Sequence, residues 1–149
     1  LSDKRKADLG VETLGLKEVV SAADYVSLHT PLNDETRHIM NAETIGWMKE
    51  SAYLVNTSRG GMVDTDALAD ALKANRIAGA AIDVYEKEPP RPAFPLLDLD
   101  NCICSPHLSW YSVDAERTIR EKIVQDIEMF IDGTGPRLAV NPEARKNGD

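Results

Sequence analysis

Ala52-Tyr53-Leu54-Val55-Asn56-Thr57-Ser58-Arg59-Gly60-Gly61-Met62-Val63-Asp64 spells out a strand, a turn and the start of a helix in one run. Ala52 to Asn56 reads as a strand, because aromatic and branched apolar side chains suit a pleated, buried surface. Thr57-Ser58-Arg59-Gly60-Gly61 stops it, and the two glycines fit a tight turn, where glycine accepts positive φ without strain. Asp64 is a natural N-cap for a helix that places Leu68 and Leu72 on one face. Outward from this junction the same alternation recurs. Upstream, Asp24-Tyr25-Val26-Ser27-Leu28 reads as a strand ending at His29-Thr30-Pro31, followed by a polar loop. Asn41 then caps a short helix carrying Ile45 and Met48. Downstream, Gly79-Ala80-Ala81-Ile82-Asp83-Val84 is a third strand, and Glu88-Pro89-Pro90-Arg91-Pro92 is too broken for a helix. Asn101-Cys102-Ile103-Cys104 is a fourth strand, ending at Ser105-Pro106-His107. Ser112 opens the longest helix, with Ile119, Ile123, Ile127 and Phe130 on its apolar stripe and Gly133 and Pro136 ending it. Apolar strands separated by roughly 16–24 residues, mostly with helical crossovers, predict an α/β fold with a parallel sheet. Near-continuous apolar strands further predict burial on both faces of that sheet.

Composition excludes several classes. At 149 residues the chain has the length of one ordinary domain and is long enough to bury a real core. With 42% hydrophobic and 28% charged residues it lacks the signature of disorder. The formal charge of −8 argues against a general phosphate-backbone binder, so no nucleic-acid partner is expected. No run of about 18 apolar residues is present, so no membrane span is expected. Leu1-Ser2-Asp3-Lys4-Arg5-Lys6 lacks the apolar centre of a secretion signal. Two cysteines cannot staple a secreted scaffold of this size, and a reduced, cytoplasmic setting is expected.

In open parallel sheets, ligands bind beyond the carboxyl ends of the strands. Arg59 follows the second strand, Asp83 and Glu88 follow the third, and His107 follows the fourth. One cleft can therefore receive a guanidinium, a carboxylate and an imidazole. Each has a plain alternative: Arg59 as a solvated loop charge, Glu88 as a solvent-facing acid in a proline-rich loop, His107 as a structural histidine. Their coincidence at successive strand ends favours a shared site. Cys102 and Cys104, two apart on a strand, point to one face and read as packing rather than a zinc or redox pair. His29 and His38 lack metal-ligand companions at useful spacing, and Ser58 has no histidine placed for a hydrolase triad.

The segments His29-Thr30-Pro31-Leu32, Asn56-Thr57-Ser58-Arg59-Gly60-Gly61, Asp83-Val84-Tyr85-Glu86-Lys87-Glu88-Pro89 and Ser105-Pro106-His107, in this order, resemble the D-isomer-specific 2-hydroxyacid dehydrogenases. The resemblance runs from about Leu16 to Trp110, and the final helix suits it. Pro106-His107-Leu108-Ser109-Trp110-Tyr111-Ser112 is most similar to the branch containing the C-terminal binding proteins. The resemblance implies a Rossmann-like sheet and hydride transfer between NAD and a small 2-hydroxyacid or 2-oxoacid, with NADP left open. It implies that Arg59 clamps the substrate carboxylate, which a planar guanidinium does well. It makes His107 the general acid or base and Glu88 the carboxylate that orients its ring. Glu86 is the rival carboxylate, but the family pattern sets the partner immediately before proline, hence Glu88. Asp83 would bind the carboxamide, and Thr30, Pro31, Leu32, Asn33, Thr36, Thr57, Ser58 and His107 would line the cofactor. Trp110 would wall the substrate pocket. A homodimer is implied for the full-length protein.

The glycine-rich phosphate turn of such a fold is absent from the sequence, since Gly133-Thr134-Gly135-Pro136 follows a helix. Residues 1–136 are therefore expected to form part of a dinucleotide-binding domain lacking its glycine-rich first half, with 137–149 as a tail. On that expectation the chain is a fragment of a larger enzyme and is inactive alone. Two alternatives remain at this level: a corepressor that senses NAD, resembling the C-terminal binding proteins, and a non-catalytic α/β interaction module.

Overall fold

Four short strands form one parallel sheet: β1 (Tyr25–Leu28), β2 (Tyr53–Asn56), β3 (Gly79–Ile82) and β4 (Cys102–Cys104). They lie side by side in chain order. The computed structural model describes residues 2–139; the tail expected from 137 onward lies, from residue 140, outside the described residues. The helices are α1 (Asp3–Leu9), α2 (Leu16–Ala22), α3 (Ala42–Trp47), α4 (Thr65–Lys73) and α5 (Val113–Ile131). The chain divides into two compact units, Leu1–Ser109 and Trp110–Asp149.

The caps read from sequence are made. Asn41 Oδ1 accepts from the backbone of Glu43 and Thr44 at 3.0 and 3.2 Å, and Asp64 Oδ1 accepts from Asp66 and Ala67 at 3.1 and 3.0 Å. Ser112 Oγ accepts from Ala115 N–H at 3.0 Å, and Gly133 at φ +73° lies just past the end of α5. Two helices had no counterpart in the sequence reading. In α1, Ser2 caps one end and Gly10, at φ +63°, closes the other. In α2, the Glu18 carboxylate accepts the Gly15 N–H at 2.9 Å.

Register explains where the core sits. Val26, Leu54, Ala80 and Cys102 form one cross-strand row, and Leu28, Asn56, Ile82 and Cys104 form the next. Both rows pack into the core shared with α2, α3 and α4. Val20 of α2, Ile45 and Met48 at α3, Leu68 and Leu72 of α4, and Leu96 are at most 2% exposed, and burying each side chain of that size contributes about 1.5–3 kcal/mol. The sulfurs of Cys102 and Cys104 lie 3.9 Å apart against this core. Burial raises the Cys102 thiol to about 12, and the neighbouring Cys104 adds to the shift.

The expectation of a sheet buried on both faces is corrected. On the opposite face Tyr25 and Ile103 are each 72% exposed, and the rings of Tyr25 and Tyr53 stack at 5.6 Å. The cause is topological. Parallel crossovers are right-handed, so strands added in one direction place every connecting segment on the same side. In the second unit, none of the residues of α5 is buried, including the stripe of Ile119, Ile123, Ile127 and Phe130. Its end is tied by Arg137 Nε, which donates to Asp126 at 3.0 Å and holds that carboxyl below the ordinary range. Among the described residues, no helix is long and apolar enough to cross a membrane.

Candidate active site

The buried amide of Asn56 shapes the turn after β2. Its Nδ2 donates to the Arg59 carbonyl at 3.0 Å and its Oδ1 accepts from Ser58 N–H at 3.1 Å. The turn continues as a single 3-10 turn over Gly60–Met62, with neither glycine at positive φ. Glycine is required there for a different reason from the one the sequence suggested. A Cβ on Gly60 would lie 1.9 Å from the carbonyl carbon of Tyr85, so the Arg59 turn and the loop after β3 meet backbone to backbone. Arg59 itself is exposed, and its Nη1 donates to the Ser58 carbonyl at 2.7 Å.

The loop after β1 folds on itself. Asn33 Oδ1 accepts from the backbone of Glu35 and Thr36, both at 3.0 Å, and Thr36 Oγ1 donates to the Pro31 carbonyl at 2.7 Å. Ser58 Oγ donates to the Thr30 carbonyl at 2.8 Å, tying this loop to the Arg59 turn. Thr30 and Thr57 are exposed at the ends of their strands, and Leu32 reaches the cavity described below.

After β3 the chain carries three acids with separate partners. Asp83 is buried and accepts from Leu108 N–H at 2.9 Å, Ser109 N–H at 3.0 Å and the hydroxyls of Ser105 and Ser109. Burial alone would raise its pKa; these four donors outweigh it and hold the carboxyl well below the usual carboxylate range. Its lone pairs are filled, so a carboxamide would reach Asp83 only by displacing a donor. Glu86 accepts from Thr65 and lies 3.1 Å from His38 Nε2. Glu88 Oε1 accepts from Tyr85 N–H at 3.0 Å, and its Oε2 lies 2.8 Å from His107 Nδ1. The Tyr85 bond is the main cause of a lowered Glu88 pKa, with His107 second and burial opposing. Tyr85 OH donates to the Ser105 carbonyl at 2.8 Å, and burial pushes the phenol up to about 12.

Arg59, Glu88 and His107 line one cavity of about 530 Å³, with Arg37 and Glu86 on its wall. The three residues chosen from sequence thus converge. Trp110 opens the second compact unit, where its ring meets Tyr111 edge-on at 5.5 Å. Residues 1–109 match the family model of the D-isomer specific 2-hydroxyacid dehydrogenase, NAD binding domain. The chain belongs to this family.

Two curated relatives are glyoxylate reductases. That of Thermofilum pendens is 40% identical over 136 residues, covering 91% of this chain and 40% of the relative. That of Korarchaeum cryptofilum is 42% identical over 139 residues, covering 93% and 42%. Among solved structures, the D-lactate dehydrogenase from Aquifex aeolicus, complexed with NAD and lactic acid, superposes with a TM-score of 0.80 at 32% identity. That match covers 90% of this chain and 45% of the other. The chain therefore spans about two fifths of the length of its curated relatives. These relatives are named for enzyme activities and lend no support to the corepressor alternative.

Within this dehydrogenase domain one cavity residue, Arg37, carries no signal in the sequence, and a second, Glu86, carries an incomplete one. Arg37 reaches the cavity beside Leu32 and Gly61 from a loop that reads only as polar. Glu86 reads from sequence only as the rival of Glu88. Its real partners stand 21 and 48 residues away in sequence, beyond any local pattern.

Proposed function

We propose that this chain carries the substrate-carboxylate and proton-transfer side of an NAD(P)-dependent D-2-hydroxyacid dehydrogenase, interconverting small D-2-hydroxyacids and 2-oxoacids. The observation that carries the proposal is the 2.8 Å contact of His107 Nδ1 with Glu88 in a cavity that also receives Arg59. Residues 1–136 are read as the part of the dinucleotide domain that presents these groups. Thr30 and Thr57, exposed at the ends of their strands, and apolar Leu32 on the cavity wall fit the mixed edge of a nicotinamide riboside, and Thr36, Asn33 and Ser58 hold those loops in shape. NAD is the cofactor favoured, and when bound it supplies the hydride.

The remaining steps belong to this chain. The Arg59 fork pairs with the carboxylate of a 2-oxoacid and fixes the carbonyl toward His107. Glu88 engages Nδ1, so Nε2 is the ring nitrogen that gives its proton to the carbonyl oxygen as carbon is reduced. In the reverse direction the neutral ring takes the hydroxyl proton at the same atom. Glu88, its carboxyl held below the ordinary range, faces Nδ1 and orients the ring for that transfer.

Two substitutions in the full-length protein test this. His107→Ala is expected to lower turnover of 2-oxoacids by about 10²–10⁴-fold while cofactor affinity, read by fluorescence titration, changes little. Arg59→Lys is expected to raise KM sharply, because an ammonium cannot reproduce a planar fork on a carboxylate. Near-normal turnover in the first and unchanged KM for every 2-oxoacid in the second would overturn the proposal.

A further inference from the structure

Glu86 has no part in the chemistry above, yet it is the most heavily tied carboxylate on the cavity wall. Its Oε1 accepts from Thr65 N–H at 3.2 Å and from Thr65 Oγ1 at 2.7 Å, at the first turn of α4. Its Oε2 lies 3.1 Å from His38 Nε2, on the loop after β1. Beneath it, the backbone of residues 85 and 86 presses on Gly60, whose added Cβ would stand 2.4 Å from Glu86 N. The segment is thus held by a carboxylate anchor on one side and a backbone contact on the other. Tyr85 N–H, one residue back, is the donor that orients Glu88 Oε1 at 3.0 Å. A displacement of residue 86 therefore reaches the group that holds His107.

We infer that Glu86, anchored by Thr65 and His38, is a positioning residue that sets Tyr85 N–H and through it the Glu88–His107 pair; the inference rests on the function proposed above. Burial alone would raise the Glu86 pKa, but the Thr65 and His38 bonds outweigh it, so the anchor is ionised across neutral pH. Charged groups facing His107 in the cavity are Glu88, Glu86, Arg37 and Arg59, with Asp83 on the same loop as the two glutamates. Removing Glu86 would change that field directly. The informative variant is therefore Thr65→Val, which deletes the hydroxyl anchor and keeps every charge.

The test is nuclear magnetic resonance titration of the imidazole rings in this chain, whose three histidines can be assigned by substitution. Glu88→Gln, the reference, is expected to lower the His107 midpoint, because the carboxylate 2.8 Å from Nδ1 is replaced by a neutral amide. Thr65→Val is expected to lower it in the same direction by a smaller, resolvable amount, and Thr65→Ser to restore it. His38→Gln probes the other anchor and also serves if Thr65→Val does not fold. It too is expected to lower the midpoint. A midpoint unmoved by the anchor variants but moved by Glu88→Gln overturns this inference alone. A midpoint unmoved by all of them overturns it together with the function on which it rests.

Discussion

Asp83 shows how a single acid at a strand end shapes the segment that carries His107. Four donors from residues 105–109 converge on it, so the backbone on either side of His107 is set by a group at the end of β3. Its native pKa is depressed below the roughly 3.9 of an unfolded aspartate. Such a group stabilises the fold fully above that unfolded value, and the contribution is lost as pH falls toward the native one. Asp83→Asn keeps the shape but replaces an acceptor oxygen with a donor, and is expected to cost about 2–4 kcal/mol at neutral pH. It should also flatten the loss of stability between about pH 4 and pH 2. Urea unfolding at a series of pH values measures both; an acid slope equal to that of the unsubstituted chain would assign the stabilisation elsewhere.

Among elements, the junction of the Arg59 turn with the loop after β3 is the least tolerant. Gly60→Ala puts a methyl into backbone that no rotamer change relieves, and overpacking of this kind costs about 1–3 kcal/mol. Because the strain falls between Arg59 and Glu88, catalysis in the full-length protein should fall further than stability does. A variant that loses stability while keeping kcat/KM would show the junction to be scaffold only. This junction marks the limit of what sequence disclosed. Strands and capped helices were legible because their signals are local: Asn41, Asp64 and Ser112 each sit within three residues of the groups they cap. That Arg59, Glu88 and His107 share one cavity was legible because strand ends are where ligands gather, and because four short motifs occur in order. Illegible were the contacts that join distant segments, Gly60 to Tyr85 and Glu86 to Thr65 and His38. The single-sided sheet was also hidden, since Val55, Ala81 and Ile103 are as apolar as the residues that face the core. Handedness of the crossovers, which no strand encodes alone, decides between the faces.

At the scale of the whole molecule, the groups proposed to act on substrate occur without a glycine-rich turn to anchor a pyrophosphate at a helix N-terminus. Proximity of hydride donor and acceptor is what such an anchor supplies. The isolated chain is therefore expected to bind NAD and NADH weakly and to show no measurable reduction of 2-oxoacids. Calorimetric titration beside a turnover assay checks this, and micromolar binding with turnover would contradict it.

The paired thiols of β4 give the sheet a chemical reporter. Cys102 stays protonated far into the alkaline range, and disulfide reagents attack the thiolate. In the closed fold it is a poor nucleophile; once β4, an outer strand, peels from β3, it regains the reactivity of a free cysteine. The pace of thiol labelling thus clocks how often that edge opens, and His107, three residues beyond Cys104, shares its fate.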